Sequence, residues 1–512
     1  MMYAVPLPGT PIIIDIGSAY IKIGFAGEPS PRFMFPCITG TEKYKSVMVD
    51  VSARSVYVGN DAMKMRGVLK VNYPIQRGMI MDWDDYYEIL NYIFYTLLRI
   101  ENLSSYPVIY VEHPFVPRET KEYIARVLFE THRIKSLIMM QSPILSSFSV
   151  GLTTGLVIES GDGVTWIVPI INGLIHHQAV QKLNLAGVDV NHNLKSLLMR
   201  EGINISAGAA EEIIKEIKEK NCYFVLDPAN PPKATDAYTY PMPDGSVKEI
   251  PNRIFYEAPE VMFQPSMLGY NMMNIPQSII YCLQMLSNEN WYELLNHIVI
   301  SGGNLSYSGF DERLKQELNA LLPQLGPIPK PSKKKLKEEY ESESLKALDG
   351  MMKSVDTCPQ CGVLVNLADG KTNCPECGAD MSLPQIPIDL GGQLEKKENI
   401  QSEKVCPHCM KKIMDETSVF CPYCGKNVDG LEISKNMDEL IDNTSVAKEF
   451  MGLDTSSEII KFYIPDNLQY AIFNGASILG SLPSFQSLFV TYEEFQVNPD
   501  LLYKDISEIF GL

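Results

Sequence analysis

Hydrophobic positions along most of the chain alternate between short apolar runs, typical of strands, and amphipathic stretches with helical spacing. Residues 1 to about 328 show this alternation, interrupted by short turns. It resumes at about Glu458, in the segment IIKFYIPDNLQYAIFNGASILGSLPSFQSLFV. Strand and helix patterns that alternate in this way are typical of an α/β architecture. We therefore predict an α/β core built from residues 1–328 and 458–512.

The segment between these two parts has a different composition. From Pro327 the sequence PIPKPSKKKLKEEYESESLKALDG is first punctuated by prolines and then densely charged. Cysteine-rich stretches follow at about 355–380 and 403–428, joined by the connector LPQIPIDLGGQLEKKENIQSEK. We interpret residues 329–457 as a separate module inserted into a loop of the larger fold.

Two apolar strands lead directly into glycine turns, in PIIIDIGSAYIKIGFAG (11–27) and GLVIESGDGVTWIVPI (155–170). The pattern predicts two hairpins. A bound phosphate chain needs backbone N–H donors that can approach it closely, and a metal ion that offsets its charge. In the first hairpin the suitable residues are Asp15, Gly17, Ser18 and Lys22. In the second they are Glu159, Gly161, Asp162 and Gly163. One such turn is weak evidence, but two predict a duplicated fold that holds one triphosphate.

A third glycine turn strengthens this interpretation. In HIVISGGNLSYSGF (297–310) a strand runs into Gly302 and Gly303, and a helical pattern follows. A helix that begins after a glycine turn favours anionic ligands.

Length, composition and charge limit the class of protein. A chain of 512 residues with 45% hydrophobic content suits a globular protein with several lobes. Its net charge of −18 argues against broad non-specific binding to nucleic acid. No apolar run is long enough to span a bilayer, and the N-terminus MMYAVPLPGT lacks a signal-peptide pattern. We expect a cytoplasmic protein.

Eight of the 11 cysteines form four C-P-x-C pairs inside the insertion. The first two pairs contain Cys358, Cys361, Cys374 and Cys377, and the last two contain Cys406, Cys409, Cys421 and Cys424. Each set supplies four thiolates for one tetrahedral Zn²⁺, which predicts two structural zinc ions in tandem zinc ribbons. Bound metal would supply much of the folding energy of such small modules. A redox dithiol function is the weaker alternative.

The three glycine turns, in this order, resemble those of actin and the actin-related proteins, in the superfamily of actins, Hsp70 chaperones and sugar kinases. The similarity extends through IKIGFAGEPSPRFMFPCITG, TTGLVIESGDGVTWIVPIINGL and EAPEVMFQPSMLG, and covers nearly all of residues 10–328 and 458–500. The resemblance implies a duplicated RNase H-like fold, with two lobes around a cleft for ATP or ADP with Mg²⁺. It also implies a cytoskeletal protein.

Site residues follow from the resemblance by position. It implies a first phosphate loop of Asp15, Gly17, Ser18 and Lys22, and a second of Gly161, Asp162, Gly163 and Val164. On the adenosine side it implies Lys215, Lys218, Glu219, Gly302, Gly303 and Tyr307. The spacing of the first three places them on one helical face. Without the resemblance, that face would be interpreted as a solvated charge stripe.

The residues expected to carry out hydrolysis depart from the family pattern. In actin a glutamine and a histidine position the attacking water, and Trp166 stands at the histidine position. Indole has an N–H donor and no acceptor. Ungapped alignment puts Ser142 at the glutamine position, with Gln141 one residue earlier. The candidate catalytic residues are Gln141, Ser142, Glu159 and Asp162, and we expect ATP hydrolysis to be slow or absent. Alternatively, Trp166 only fills the cleft and another group orients the water.

Two hypotheses for assembly remain open. The first is a filament-forming homologue with ordinary ATPase activity, because an apolar tip at Val47-Met48-Val49 matches the loop that actin filaments use. The second is a non-polymerising ATP-stabilised scaffold, supported by Trp166 and the insertion. Phe148, Leu479 and Leu482 match the edges of the groove that binds actin's partners, but would also serve as packing residues.

The partner of the zinc ribbons is a separate question. We expect the ribbons to contact another protein, because the acidic EEYESES follows the basic run KKK closely and leaves no clean basic face. A subunit of a nucleic-acid-associated complex is the alternative. The combination of a near-complete actin with a zinc insertion hints at an archaeal homologue.

Overall fold

The structure is a computed structural model, and it describes residues 6–43, 56–205, 210–228, 230–231, 237–241, 247–329, 355–357, 364–366 and 459–503. The chain separates into two compact units. All described residues belong to the larger unit, which comprises residues 1–332, 338–383 and 458–512. The smaller unit, residues 333–337 and 384–457, lies outside the described residues.

The strands of the described residues are short and apolar, as the glycine-punctuated pattern predicts. In the first half of the core they are β1 Ile12–Ile16, β2 Tyr20–Phe25, β3 Phe33–Pro36, β4 Thr39–Glu42, β5 Tyr57–Val58, β6 Leu69–Asn72, β7 Ile75–Gln76, β8 Met79–Ile80, β9 Pro107–Glu112 and β10 Ser136–Gln141. The remaining strands are β11 Gly155–Ser160, β12 Thr165–Ile171, β13 Leu174–Ile175, β14 Gln181–Leu183, β15 Tyr238–Pro241, β16 Val247–Ile250, β17 Ile298–Ser301, β18 Val355–Thr357, β19 Leu364–Asn366, β20 Phe462–Tyr463 and β21 Val490–Thr491.

Helices connect these strands. They are α1 Asn60–Lys64, α2 Trp83–Asn91, α3 Arg118–Arg126, α4 Ser142–Phe148, α5 Gly187–Arg200, α6 Ala210–Asn221, α7 Arg253–Glu257, α8 Ile275–Gln284, α9 Trp291–Asn296, α10 Phe310–Leu321, α11 Ala471–Ser481 and α12 Tyr492–Val497. In the described part of the chain, none of the helices combines the length and apolarity needed to cross a bilayer.

The first large sheet has the strand order β21-β10-β9-β1-β2-β3. Strand β1 pairs antiparallel with β2 and parallel with β9, which is itself parallel to β10. All residues of β1 and β9 are buried. Parallel strands covered on both faces have such continuous apolar sequences.

The second large sheet repeats this arrangement. Its order is β13-β12-β11-β17-β20, and β14 also pairs with β12. Strand β11 pairs antiparallel with β12 and parallel with β17, and β17 is parallel to β20. Each half of the core therefore has a hairpin whose first strand pairs with a parallel strand, and that strand pairs with a second parallel strand. The predicted α/β class and its duplication are confirmed.

Helices α4 and α11 pack against each other beside the two sheets. One apolar cluster joins Ile13 of the first sheet, Val157 of the second and Phe473 of α11. The helix contact is very close, since a Cβ on Gly475 would lie 1.9 Å from the backbone oxygen of Leu145. Residues 459–503 thus supply a strand to each sheet and the helix between them.

Candidate functional site

Three glycine turns follow the carboxyl ends of β1, β11 and β17. These ends are where ligands bind in open α/β sheets. The turns face one cavity of about 550 Å³, a volume within the usual range for ligand pockets. All residues predicted to bind the cofactor line it: Asp15, Gly17, Ser18, Lys22, Gly161, Asp162, Gly163, Val164, Lys215, Lys218, Glu219, Gly302, Gly303 and Tyr307.

The first hairpin presents a charge pair to this cavity. Asp15 and Lys22 lie opposite each other in the β1–β2 register, so their side chains share one face. The Lys22 Nζ donates to Asp15 Oδ2 at 2.8 Å. The Gly17 amide donates to the Tyr20 carbonyl at 3.1 Å, which closes the turn between the strands.

The turns of the two hairpins touch each other. A Cβ on Gly163 would lie 2.7 Å from Ser18 Oγ and 2.9 Å from the Arg77 Cα. Ser18 Oγ also accepts a hydrogen bond from the Gly78 amide at 3.1 Å. Only a glycine at position 163 allows this approach, so the Gly-Asp-Gly sequence brings the two predicted phosphate loops together.

Arg77 forms an ion pair between the two halves of the core. It follows β7 in the first half, and Asp189 lies in α5 of the second. The two guanidinium nitrogens donate to both Asp189 oxygens, at 2.6 and 2.8 Å, and one also donates to the Gly163 carbonyl at 3.0 Å. The Asp189 side chain is fully buried. Hydrogen bonding to Asp189 raises the pKa of Arg77, so the guanidinium stays charged.

The third turn, at Gly302, packs closely against the end of strand β11. Gly302 has φ 92°, and a Cβ there would lie 2.2 Å from the Ser160 carbonyl oxygen, so only glycine fits. Asn304 donates to Ser160 Oγ at 3.0 Å, and Tyr307 Oη donates to Asn304 Oδ1 at 3.1 Å. These bonds hold the turn beside the end of β11.

Helix α6 directs two lysines toward the cavity. Lys218 is buried, donates to the Gly187 carbonyl at 3.2 Å and lies 4.0 Å from the Asp162 carboxylate. The Lys215 Nζ lies 3.7 Å from the centre of the Tyr20 ring. Burial lowers the pKa of both lysines. The lysines on this face of α6 point into the cavity. The face is therefore not the solvated charge stripe that the sequence without the resemblance would indicate.

Glu159 is a buried carboxyl group at the same site. Ser142 Oγ donates to Glu159 Oε1 at 2.7 Å, and Ser146 Oγ donates to Oε2 at 3.2 Å. Burial nevertheless raises the pKa of Glu159 to about 7, and the nearby charge of Asp15 adds to this effect. Trp166 lies opposite Glu159 in the β11–β12 register, so both side chains lie on one face of the sheet.

The four candidate catalytic residues do not all reach the cavity. Glu159 and Asp162 line it, whereas Gln141 and Ser142 are not among the described residues that do so. Ser142 is fully buried behind Glu159. Gln141 ends β10, and its Oε1 is buried without a hydrogen-bond partner in the described part of the chain.

His113 lines the cavity and was not found by sequence reasoning. It directly follows β9, at the sheet edge where the predicted turns also lie. Its Nδ1 is 3.5 Å from Ser142 Oγ and 4.0 Å from Glu159 Oε1. The position after a buried parallel strand was the available signal.

Comparison with known families fits this geometry. A family model described as Actin matches residues 7–341, more than half of the chain. The chain belongs to the actin family. A second model, described as Double zinc ribbon, matches residues 358–425. The predicted actin resemblance and the predicted zinc ribbons are therefore confirmed at the level of families.

Some predictions for this actin-family chain concern residues that the structure leaves out. The eight ribbon cysteines and the Val47-Met48-Val49 loop lie outside the described residues.

The groove residues Phe148, Leu479 and Leu482 are described, and each is at most 1% exposed. They pack in the apolar cluster beside the two sheets. This is the ordinary packing role that the sequence analysis gave as the alternative to a partner-binding groove.

Proposed function

We propose that this actin-family protein binds ATP or ADP with Mg²⁺ in the described cavity. The cavity lining includes the carboxylates of Asp15, Glu159 and Asp162, and the ammonium groups of Lys22 and Lys218. A triphosphate fits this set only with a cation, because the carboxylates would otherwise repel it. Asp15 and Asp162 would hold Mg²⁺ through water, and the ion would offset the phosphate charge.

The contact between the two glycine turns is the observation that carries this proposal. Because Gly163 approaches Ser18 so closely, backbone from both hairpins reaches one point, as two loops that enclose a phosphate chain would require. The Gly302 turn and helix α6 border the same cavity. They would accommodate the adenosine, next to Lys215 and Glu219.

ATP hydrolysis is expected to be slow. Trp166 is 4% exposed and packs in the apolar cluster beside the sheets, and its indole cannot accept a hydrogen bond from water. Gln141 does not compensate, since it does not line the cavity. Loss of the glutamine and the histidine that position the water in actin costs on the order of 10²-fold in rate relative to actin.

Calorimetric titration with Mg-ATP tests the binding proposal. We expect saturable binding to the nucleotide-free protein, and at least about tenfold weaker binding for Lys218→Met, because a charged hydrogen-bonding group is worth about 1.5–3 kcal/mol. Lys220→Met is the matched control, since Lys220 lies on the same helix but pairs with Glu216 at the surface. Absence of binding to the unaltered protein would contradict the proposal. Equal losses for both variants would exclude the role of Lys218.

We further propose a cytoskeletal or scaffold role, in which the zinc ribbons contact a partner protein. Trp166 supports the scaffold form, because slow hydrolysis does not suit a filament former with ordinary ATPase activity. Sedimentation of the zinc-loaded protein with Mg-ATP separates the two hypotheses. A pellet above a critical concentration indicates a filament. Protein that stays in the supernatant, but gains thermal stability with ATP, indicates a scaffold.

A further inference from the structure

We propose that His113 orients the water that attacks the terminal phosphate of ATP, and so replaces the imidazole that position 166 lacks. This inference rests on the proposed ATP binding and adds a residue to the same site. Among the described histidines, His113 is the one that lines the cavity.

The end of β9 and the backbone of Gly78 position the imidazole ring. His113 leaves the sheet at the end of β9, next to β1, so it emerges at the same edge as the turn that begins at Gly17. The backbone of Gly78 lies against the ring, because a Cβ on Gly78 would be 3.2 Å from His113 Cδ2. This contact restricts rotation of the ring on the side of Gly78.

Three side chains form a connected polar group next to the cavity. Ser142 Oγ donates to Glu159 at 2.7 Å. The same hydroxyl oxygen is 3.5 Å from His113 Nδ1. It can accept a hydrogen bond from Nδ1 when that nitrogen carries the ring proton. The remaining ring nitrogen, Nε2, is then an acceptor, which an indole cannot provide. Trp166 lies beside Glu159 on the same face of the sheet, so both rings border the same carboxyl group.

The arrangement suits a neutral imidazole. Burial lowers the pKa of His113, which keeps an acceptor nitrogen available at neutral pH. In the proposed step, the water oxygen forms a bond to the terminal phosphorus. The bond from that phosphorus to the bridging oxygen breaks, and its electron pair leaves with ADP. The water proton passes to Nε2, and from there to solvent. The carboxyl group of Glu159 is 4.0 Å from the ring, and its ionised form can stabilise the imidazolium.

Single-turnover hydrolysis measured beside ATP affinity tests this role. For His113→Ala we expect a rate constant lower by about 10²-fold, the usual contribution of a positioned acid–base group. The dissociation constant for ATP should change by no more than about twofold, because His113 acts on the water rather than on the nucleotide. The control is His177→Ala, since His177 is exposed and contacts Phe115 at 5.7 Å between ring centroids.

Chemical rescue separates an acceptor role from a packing role. Free imidazole added to His113→Ala should restore part of the rate and have no effect on the unaltered protein. If His113→Ala fails to fold, His113→Gln replaces it, because glutamine keeps an acceptor; it should lose less activity than His113→Phe. ATP binding with an unchanged rate in these variants would overturn the inference and leave the binding proposal intact. Binding without any hydrolysis by the unaltered protein would overturn it too. Absence of ATP binding would instead reject the proposed function.

Discussion

Glu159→Gln should stabilise the nucleotide-free protein at neutral and alkaline pH. The Glu159 side chain is almost fully buried, and its pKa is raised from 4.5 to about 7, mainly by burial. Glutamine has nearly the same shape and no charge. Its carbonyl can accept the hydrogen bond from Ser142, and its amide can donate to the Ser146 hydroxyl.

The size and sign of the effect follow from this pKa. Between pH 4.5 and about 7 the folded protein binds a proton at Glu159 that the unfolded chain has released. The free energy of unfolding therefore decreases as pH rises through this window. Above pH 7 the folded protein contains a buried carboxylate. A pKa of about 7 instead of 4.5 corresponds to about 3 kcal/mol, because a tenfold change in proton affinity is worth 1.36 kcal/mol. Glu159→Gln avoids this cost, whereas below pH 4.5 both proteins are neutral at this position.

Thermal unfolding of both zinc-loaded, nucleotide-free proteins in magnesium-free buffer at pH 5, 6, 7 and 8 measures the effect. We expect Glu159→Gln to unfold several degrees higher at pH 8 and at nearly the same temperature at pH 5. The exposed Glu101→Gln serves as control and should show no difference at any pH. If the stability difference is equal at pH 5 and pH 8, or if Glu159→Gln is less stable at pH 8, the reasoning about burial is wrong.

Three further predictions concern the lobes, the core and the metal. Arg77→Ala should release nucleotide at least about tenfold faster in a fluorescent-ATP chase, because Arg77 links the two halves through the buried carboxylate of Asp189; an unchanged rate would contradict this link. Gly475→Ala should lower stability in urea by about 3 kcal/mol, since its Cβ would overlap the Leu145 backbone. Gly67→Ala, which meets nothing within 4 Å, should be tolerated. Elemental analysis should find two zinc ions per chain, and replacing one ribbon's cysteines by serine should leave one.

Much of this fold could be predicted, because its signals are local. Apolar runs that end in glycine indicate the hairpins at 11–27 and 155–170, and the parallel strands carry continuous apolar sequences. Gly163 and Gly302 were also recognisable, because tight turns and close backbone contacts require glycine. Local patterns were therefore sufficient to find the glycine turns of the cavity, whereas Lys215 and Lys218 were identified only through the family resemblance.

The remaining features depend on contacts between residues distant in sequence. Arg77 and Asp189 are 112 positions apart, and no local pattern pairs them. His113 follows an ordinary buried strand, so only the assembled sheet shows that it lies near Glu159. The burial of Phe148 and Leu479 likewise depends on how α4 and α11 pack, since apolar residues in a helix can serve either a core or a groove.

Structure determination with Mg²⁺ and a slowly hydrolysed ATP analogue tests the central claim most directly. We predict a triphosphate between the turn at Gly17 and the turn at Gly163, with the adenosine near Lys215 and Gly303. Density for the analogue at another site, or none in this cavity at saturating concentration, would contradict the account of this protein as an actin-family nucleotide-binding protein.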